Sequence, residues 1–418
     1  MFWIELALKS LLNRRLTVAL TALSIAVSVA LFLSIEKIRT ESKDNFSNTL
    51  SGTDLVVGAR SGSLNLLLYS VFRIGNASNN ISWQSYQELS TDKAVAWSVP
   101  ISLGDSHRGY RVIGTSAEYF DRYQFGRDRN LQFVEGKRFE QLFDVVLGSE
   151  VARSLGYAVG DKIVIAHGMG EVSFSQHDDL PFTVSGVLAA TGTPVDRSLH
   201  VSTAAITAIH DGWQNGVKLR GVKGFDPQSQ QVPEPETITA ALFGMTSRLK
   251  TFAFQRKVNE YRSEPLMAII PGATLQELWS MLSVLENTLM AISALVVISG
   301  LLGLLTVILA GLNERRREMA LLRALGAPAK HVFSLLCGEA ALIALAGVAV
   351  GVCLHYGLIL ALAPYLLERF GVLLHISLLE PRLLAWLAFL VVIAAFLGAI
   401  PAFRAYRQTL SDGLSLRT

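Results

Sequence analysis

The stretch LNERRREMALLRALGAPAKHV, residues Leu312 to Val332, separates two long apolar runs and places Arg315, Arg316, Arg317, Arg323 and Lys330 in one short connection. Basic residues in short segments beside membrane helices stay on the cytoplasmic side. The stretch therefore reads as an inner-face connection, and the runs flanking it as membrane helices. Composition agrees: the 418 residues are 51% hydrophobic and 17% charged, whereas soluble domains carry about a quarter charged residues. A formal net charge of +3 is too small to argue for a nucleic-acid partner, so where the charges lie matters more than their sum.

A membrane helix needs about 20 mostly apolar residues, and segments 16–35, 289–312, 332–362 and 383–403 meet that need. The third exceeds it, which implies tilt or extension past the bilayer. Residues 1–15 read as an amphipathic interfacial helix, with Phe2, Trp3, Leu6 and Leu12 apolar and Glu5, Lys9 and Asn13 polar. A cleaved signal ending at Ser28–Ala30 is the alternative, but the apolar run is longer than such signals carry, so a retained helix is expected. Lys9, Arg14 and Arg15 before the first span, the quoted run, and Arg404, Arg407 and Arg417 after the fourth all belong inside by the same charge rule. Segment 363–382, where Glu368 and Glu380 offset Arg369 and Arg382, belongs outside, and by parity so does 36–273. Both termini (residues up to 15 and tail 404–418) are then expected in the cytoplasm. Cys337 and Cys353 fall within one span, about 24 Å apart at a helical rise of about 1.5 Å; they cannot bridge each other and read as packing residues.

The outer region carries short β-rich runs, TDLVVGA, YRVIGT, DVVLGS, KIVIA and FTVSGVL, broken by Gly-rich turns and brief helical patches, which reads as an α+β domain. Residues 221–237, GVKGFDPQSQQVPEPET, are polar and Pro-rich and are expected to form a mobile loop. From Thr274 the helical pattern TLQELWSMLSVLENTLMAI runs into the second span without Pro or Gly. A helix from Thr274 to Leu312 is about 58 Å long at about 1.5 Å per residue, against a bilayer core of about 30 Å. The excess is expected to stand above the membrane as a stalk, with EKIRTESKDNFSNTL rising beside it. The expected fold class is an α-helical membrane protein with four transmembrane helices and a large extracytoplasmic α+β domain on a helical stalk.

Topology does not explain the order within REMALLRALGA. On a helix, Met319, Leu322 and Leu325 recur every three residues as an apolar stripe, with Arg316 and Arg323 elsewhere around it. Gly326 and Pro328 end that helix. Segment 313–331 is then either an interfacial anchor or a contact surface for a cytoplasmic partner.

At this point the chain resembles a family. REMALLRALGAPAKHVFSLLCGEAALIALAG and the closing PAFRAYRQTLSDGLSLRT look like the MacB-like, FtsX-like and LolC/E-like permeases of ABC transporters, and VVLGSEVARSLGYAVGDKIVIA followed by FTVSGVL is similar to that family's periplasmic core. The resemblance implies a homodimer of permeases in a bacterial inner membrane, carrying two cytoplasmic ABC ATPase subunits. It implies that Arg317, Glu318, Met319, Leu321, Leu322, Arg323, Leu325, Gly326 and Ala327 form a coupling helix held in an ATPase groove. The family also tends to have an acidic residue where Glu339 stands, two turns inside the third span, which implies pairing near the cytoplasmic face with Arg323; intramembrane carboxylates are costly and often functional, although one held only for stability is the plainer reading. The chain lacks the phosphate loop G-x-x-x-x-G-K-[ST]: its nearest candidate, Gly136-Lys137, is followed by Arg138 and has no glycine at the right distance before it. No catalytic residue is expected, and ATP and Mg²⁺ belong to the partner ATPase, as in separate-subunit members and unlike MacB, whose ATPase is fused.

His167, the run QHDD with His177, Asp178 and Asp179, His200 in RSLHVS and His210 in AIHDGW are candidate metal ligands, because His and carboxylate side chains suit zinc when three or four converge. Their spacing matches no zinc motif, and a scattered, solvated set is the blander reading. GTDLVVGA and TGTPVDRSLHVS resemble members linked to zinc handling, which leaves zinc as the candidate cofactor. Leu64, Leu66, Leu67, Leu68, Tyr69, Val71 and Phe72 form either ordinary core or a patch facing lipid or cargo. The expected function is extrusion or hand-over of a lipophilic, lipoprotein or peptide-like cargo, with membrane lipid and a periplasmic, lipoprotein or outer-membrane protein as further partners. The alternatives are FtsX-like mechanical signalling to a periplasmic partner without transport, and a zinc-linked ABC system.

Overall fold

A computed structural model describes residues 15–47, 49–126, 128–168, 180–214, 217–218, 224–226, 232–324, 328–370 and 377–403. They fall into two units, one formed by Ser42–Leu282 and the other by the segments on either side of it. The helices are α1 (Arg15–Ser47), α2 (Ser63–Ser70), α3 (Trp83–Ser90), α4 (Tyr119–Arg122), α5 (Ser149–Leu155), α6 (Thr203–His210), α7 (Arg248–Asn259), α8 (Pro271–Ala324), α9 (Ala329–Phe370) and α10 (Pro381–Leu397). Stretches of α1, α8 and α9, together with Pro381–Phe403, are each long and apolar enough to cross a membrane. These are the four spans expected from the sequence. The N-terminal interfacial segment before Arg15 and the tail from Arg404 lie outside the described residues.

The membrane unit packs around Ile25, Val29 and Leu33 of α1, Leu304 and Ile308 of α8, Ala340, Ile343, Ala344 and Val348 of α9, and Leu387 and Ala394 of α10. Small residues make this possible. A Cβ on Gly347 would meet the Ala22 carbonyl at 2.9 Å and the Ile25 side chain at 2.8 Å, so α1 and α9 approach backbone to side chain, as small-xxx-small faces allow in lipid. The Ser28 hydroxyl donates to the Ser24 carbonyl at 2.9 Å and lies 3.2 Å from that of Val296 in α8. Ser34 and His355 Nδ1 are hydrogen-bonded at 3.0 Å between α1 and α9.

The segment expected as a stalk, a span and a short helix fused to them is one element: α8 runs unbroken for 54 residues. Pro271 begins it, where its missing N–H is no loss. It ends at Ala324, and α9 begins at Ala329. The expected boundary after Leu312 is therefore not a break in the backbone.

The other unit is built on an eleven-stranded mixed sheet: β1 (Leu55–Ala59), β2 (Val95–His107), β3 (Tyr110–Thr115), β4 (Phe133–Gly136), β5 (Asp144–Leu147), β6 (Lys162–Ile163), β7 (Ala166–His167), β8 (Phe182–Leu188), β9 (Ser198–Ser202), β10 (Ala240–Met245) and β11 (Leu266–Ile269). The order is β11-β1-β10-β2-β3-β9-β5-β8-β4, with β7 added to β2 and β6 to β8; β3–β9 and β5–β8 are parallel and the other pairings antiparallel. Apolar cores cover both faces. Val56 and Val146 join one core with Leu66, Leu67, Tyr69 and Phe120, while their strand neighbours Leu55 and Val57, and Val145 and Leu147, join two cores on the other face. A sheet covered on both sides explains why its strands read as continuous apolar runs. Leu66, Leu67, Tyr69, Val71 and Phe72 are core residues, which decides against a lipid-facing patch.

The stretches GTDLVVGA and TGTPVDRSLHVS each hold local structure in place. In GTDLVVGA, a Cβ on Gly58 would meet Leu66 Cδ1 at 2.6 Å and the Tyr69 hydroxyl at 2.9 Å, and Asp54 accepts from the Met245 N–H at 2.7 Å. In TGTPVDRSLHVS, the buried Asp196 carboxylate accepts from the Thr191 N–H at 2.8 Å and the Gly192 N–H at 2.7 Å, closing the turn that leads into β9.

Candidate metal centre and coupling segment

The sheet register brings together three groups that are far apart in sequence. β7 pairs antiparallel with β2 so that His167 stands opposite Asp105, and directly opposed side chains are cross-strand neighbours. Between Leu103 and Ser106 the β2–β3 register shifts. A bulge of this kind re-aims side chains, and at this one Asp105 is buried while Gly104 before it is exposed. The third group comes from α6, which Ser202 caps by accepting from the Ala205 N–H at 3.0 Å and which ends at His210.

Asp105 Oδ1 lies 3.1 Å from His167 Nδ1 and 3.2 Å from His210 Nε2, and the two imidazole nitrogens are 3.1 Å apart. Asp105 is 3% exposed, whereas His167 is exposed and His210 half-buried. Burial alone would raise the Asp105 pKa, but hydrogen bonds and charge from His167 and His210 outweigh it and hold the carboxyl at about 2. Burial opposes charging of His210, yet its hydrogen bond to Asp105 and the carboxylate's charge raise its pKa overall. His210 Nδ1 lies 2.8 Å from the Ile206 carbonyl, which can only accept; Nδ1 therefore carries the proton, and Nε2 faces Asp105 and His167.

The other residue marked for zinc that the structure describes is elsewhere. His200 is fully buried on β9, its ring stacked on Tyr119 at 5.3 Å and edge-on to Phe120 at 5.9 Å. It belongs to the apolar core and not to the cluster, because alternation along β9 sends Leu199 and Val201 to one face and His200 to the other. Burial, then the positive charge of Arg73, pushes its pKa down to about 3. His177, Asp178 and Asp179 lie outside the described residues. Asp105 carried no sequence signal: a lone acid in LGDSH gains meaning only through the register of β7 and the bulge.

Of the residues expected to form a coupling helix, Arg317, Glu318, Met319, Leu321, Leu322 and Arg323 form the last turns of α8, with side chains outside what is described; Leu325, Gly326 and Ala327 lie outside the described residues altogether. Glu339 on α9 is 3% exposed, a buried carboxylate within a span as expected from the sequence.

Two family models match the chain. The MacB-like periplasmic core domain matches residues 16–230 and the FtsX-like permease C-terminal region matches residues 290–410. Among solved structures, the periplasmic region of MacB from Actinobacillus actinomycetemcomitans is similar at 11% identity and a TM-score of 0.34, over 55% of this chain and 94% of that one. The extracellular domain of the noncanonic ABC-type transporter YknZ from Gram-positive bacteria is similar at 12% identity and a TM-score of 0.31, over 52% of this chain and 99% of that one. No curated protein matches.

Proposed function

The chain belongs to the MacB/FtsX type of ABC-transporter permease, and we propose that it turns ATP-driven motion of a cytoplasmic partner into motion of its outer domain, which extrudes or hands over a lipophilic, lipoprotein or peptide-like cargo. It is a membrane subunit that works with a separate ABC ATPase and is not an enzyme by itself. The observation that carries the reading is the continuity of α8, whose 54 residues include the lead-in to the second membrane span, the span itself and the greater part of the expected coupling segment, up to Ala324. A helix bends far less readily than a loop, so displacement at one end reaches the other without loss in a flexible joint. In this reading two copies form a homodimer with two ATPases in a bacterial inner membrane, both termini lie in the cytoplasm, and Arg317 to Ala327 contact the ATPase. Charge reversal at Arg317 (Arg317→Glu) combined with Leu321→Asp tests the contact. The double variant is expected to insert in the membrane at wild-type levels and to lose copurification with its ATPase; copurification at the wild-type level overturns the coupling assignment.

A further inference from the structure

We propose that Asp105, His167 and His210 form a binding site for a divalent transition-metal ion, Zn²⁺ being the best match, where β2, β7 and the end of α6 meet. The site stands within the outer domain and is independent of what the permease moves.

The spacing of the three atoms suits zinc. Zinc binds nitrogen and carboxylate oxygen at about 2.0–2.2 Å in a tetrahedral array, whose ligand atoms then stand about 3.3 Å from one another. The three atoms here are separated by 3.1, 3.1 and 3.2 Å, one triangular face of such an array. Among the described residues these three supply the donor atoms, and a tetrahedral zinc takes one further ligand, from the protein or from water.

Proton counting points the same way. With His210 Nδ1 committed to the Ile206 carbonyl, a neutral His210 turns a lone pair toward the cluster. A neutral His167 then has at most one proton at Nδ1 to share between His210 Nε2 and the Asp105 carboxylate. Three donor atoms thus converge on one point, where a metal ion or one additional proton on the imidazole pair can be held. The hydrogen bond to Ile206 is also the outer-shell contact that fixes tautomer and ring orientation in metal-ligating histidines.

Charge and ligand chemistry narrow the ion. The buried carboxylate is an anion that needs compensation, and His210 sits in the last turn of α6, where the helix dipole favours positive charge. Two imidazoles and one carboxylate select borderline ions such as Zn²⁺ and Co²⁺ over Ca²⁺ and Mg²⁺, which prefer oxygen.

The test uses the full-length chain in detergent, free of any polyhistidine tag and stripped of metal. Isothermal titration with Zn²⁺ is expected to show one ion per chain, undisplaced by millimolar Mg²⁺ or Ca²⁺. Co²⁺ added in its place is expected to give the intense visible absorption of a four-coordinate ion, a readout on the wild-type chain that needs no variant to fold. Asp105→Asn, His167→Ala and His210→Ala, checked for retained circular dichroism, are each expected to weaken Zn²⁺ binding by at least about tenfold. An affinity no tighter than about 10 μM overturns the proposal and leaves a shared proton as what holds the cluster. Wild-type affinity in folded variants overturns it equally, by moving the ion to other residues.

Discussion

A Cβ on Gly351 of α9 would stand 2.8 Å from the carbonyl oxygen of Ala26 in α1. Backbone atoms cannot swing aside as a side-chain tip can, so any larger residue there must push the first span away from the third. Overpacking a filled interface costs about 1–3 kcal/mol, and α1 also carries Ile25, Val29 and Leu33 into the same core. Gly351→Leu is therefore expected to lower the thermal midpoint of the detergent-solubilised chain by several degrees. Gly357 lies on the same helix with nothing within 4 Å of a built Cβ, so Gly357→Ala is expected to leave the midpoint unchanged or raise it slightly. Equal effects at the two glycines would show that α1 and α9 do not meet at Gly351.

Acid sensitivity of the outer domain should trace in part to His200. In the unfolded chain this imidazole titrates near ~6.5; folded, burial and then Arg73 hold it at about 3. Between those values the unfolded state binds the extra proton, so falling pH favours unfolding. The neutral ring's contribution is intact above the unfolded value and is lost on acidification, by at most ~1.4 kcal/mol for each pH unit. His200→Phe keeps an aromatic ring beside Tyr119 and Phe120 and removes the titration. Hydrogen exchange of β9 amides between pH 7 and 5 is expected to accelerate less with acid in the variant, beyond the intrinsic pH dependence of exchange. Identical acceleration in the two proteins rules His200 out as the group.

The spans were legible because the bilayer sets their length and composition locally: 16–35 and 383–403 each lie within an observed candidate span. The continuity of α8 was legible from Thr274 to Leu312 and was understated beyond it. The charged run NERRRE looks like a change of element, yet charge does not interrupt backbone hydrogen bonding, and Ala, Leu, Arg, Glu and Met are strong helix formers. The Asp105–His167–His210 cluster was half legible. His167 and His210 stood out by residue type, but only the β2–β7 register and the bulge place Asp105 with them. The place of His200, apart from that cluster, was hidden for a related reason. In RSLHVS an alternating apolar pattern turns the histidine away from Leu199 and Val201, and nothing local reveals that the face it turns toward is also buried, because that cover comes from Tyr119 and Phe120, some 80 residues earlier.

If α8 transmits force as a rod, breaking it should separate partner binding from function. Val284 suits the test because its side chain is 73% exposed, so substituting it removes little packing and the result reports on the backbone. Proline there deletes a helical hydrogen bond and clashes with the carbonyl one turn earlier, at about 3 kcal/mol or more; alanine at the same position keeps the helix. Val284→Pro is expected to insert, to copurify with the ATPase as the wild type does, and to fail to complement the defect caused by deleting the gene. Val284→Ala is expected to complement it fully. The coupling segment lies on the far side of this position along α8, so a proline variant that no longer binds the ATPase would reveal damage spreading through the helix, and the pair of substitutions separates that outcome from uncoupling. Full complementation by Val284→Pro, with the protein folded and present at wild-type amounts, would show that the motion reaching the outer domain does not travel along this helix.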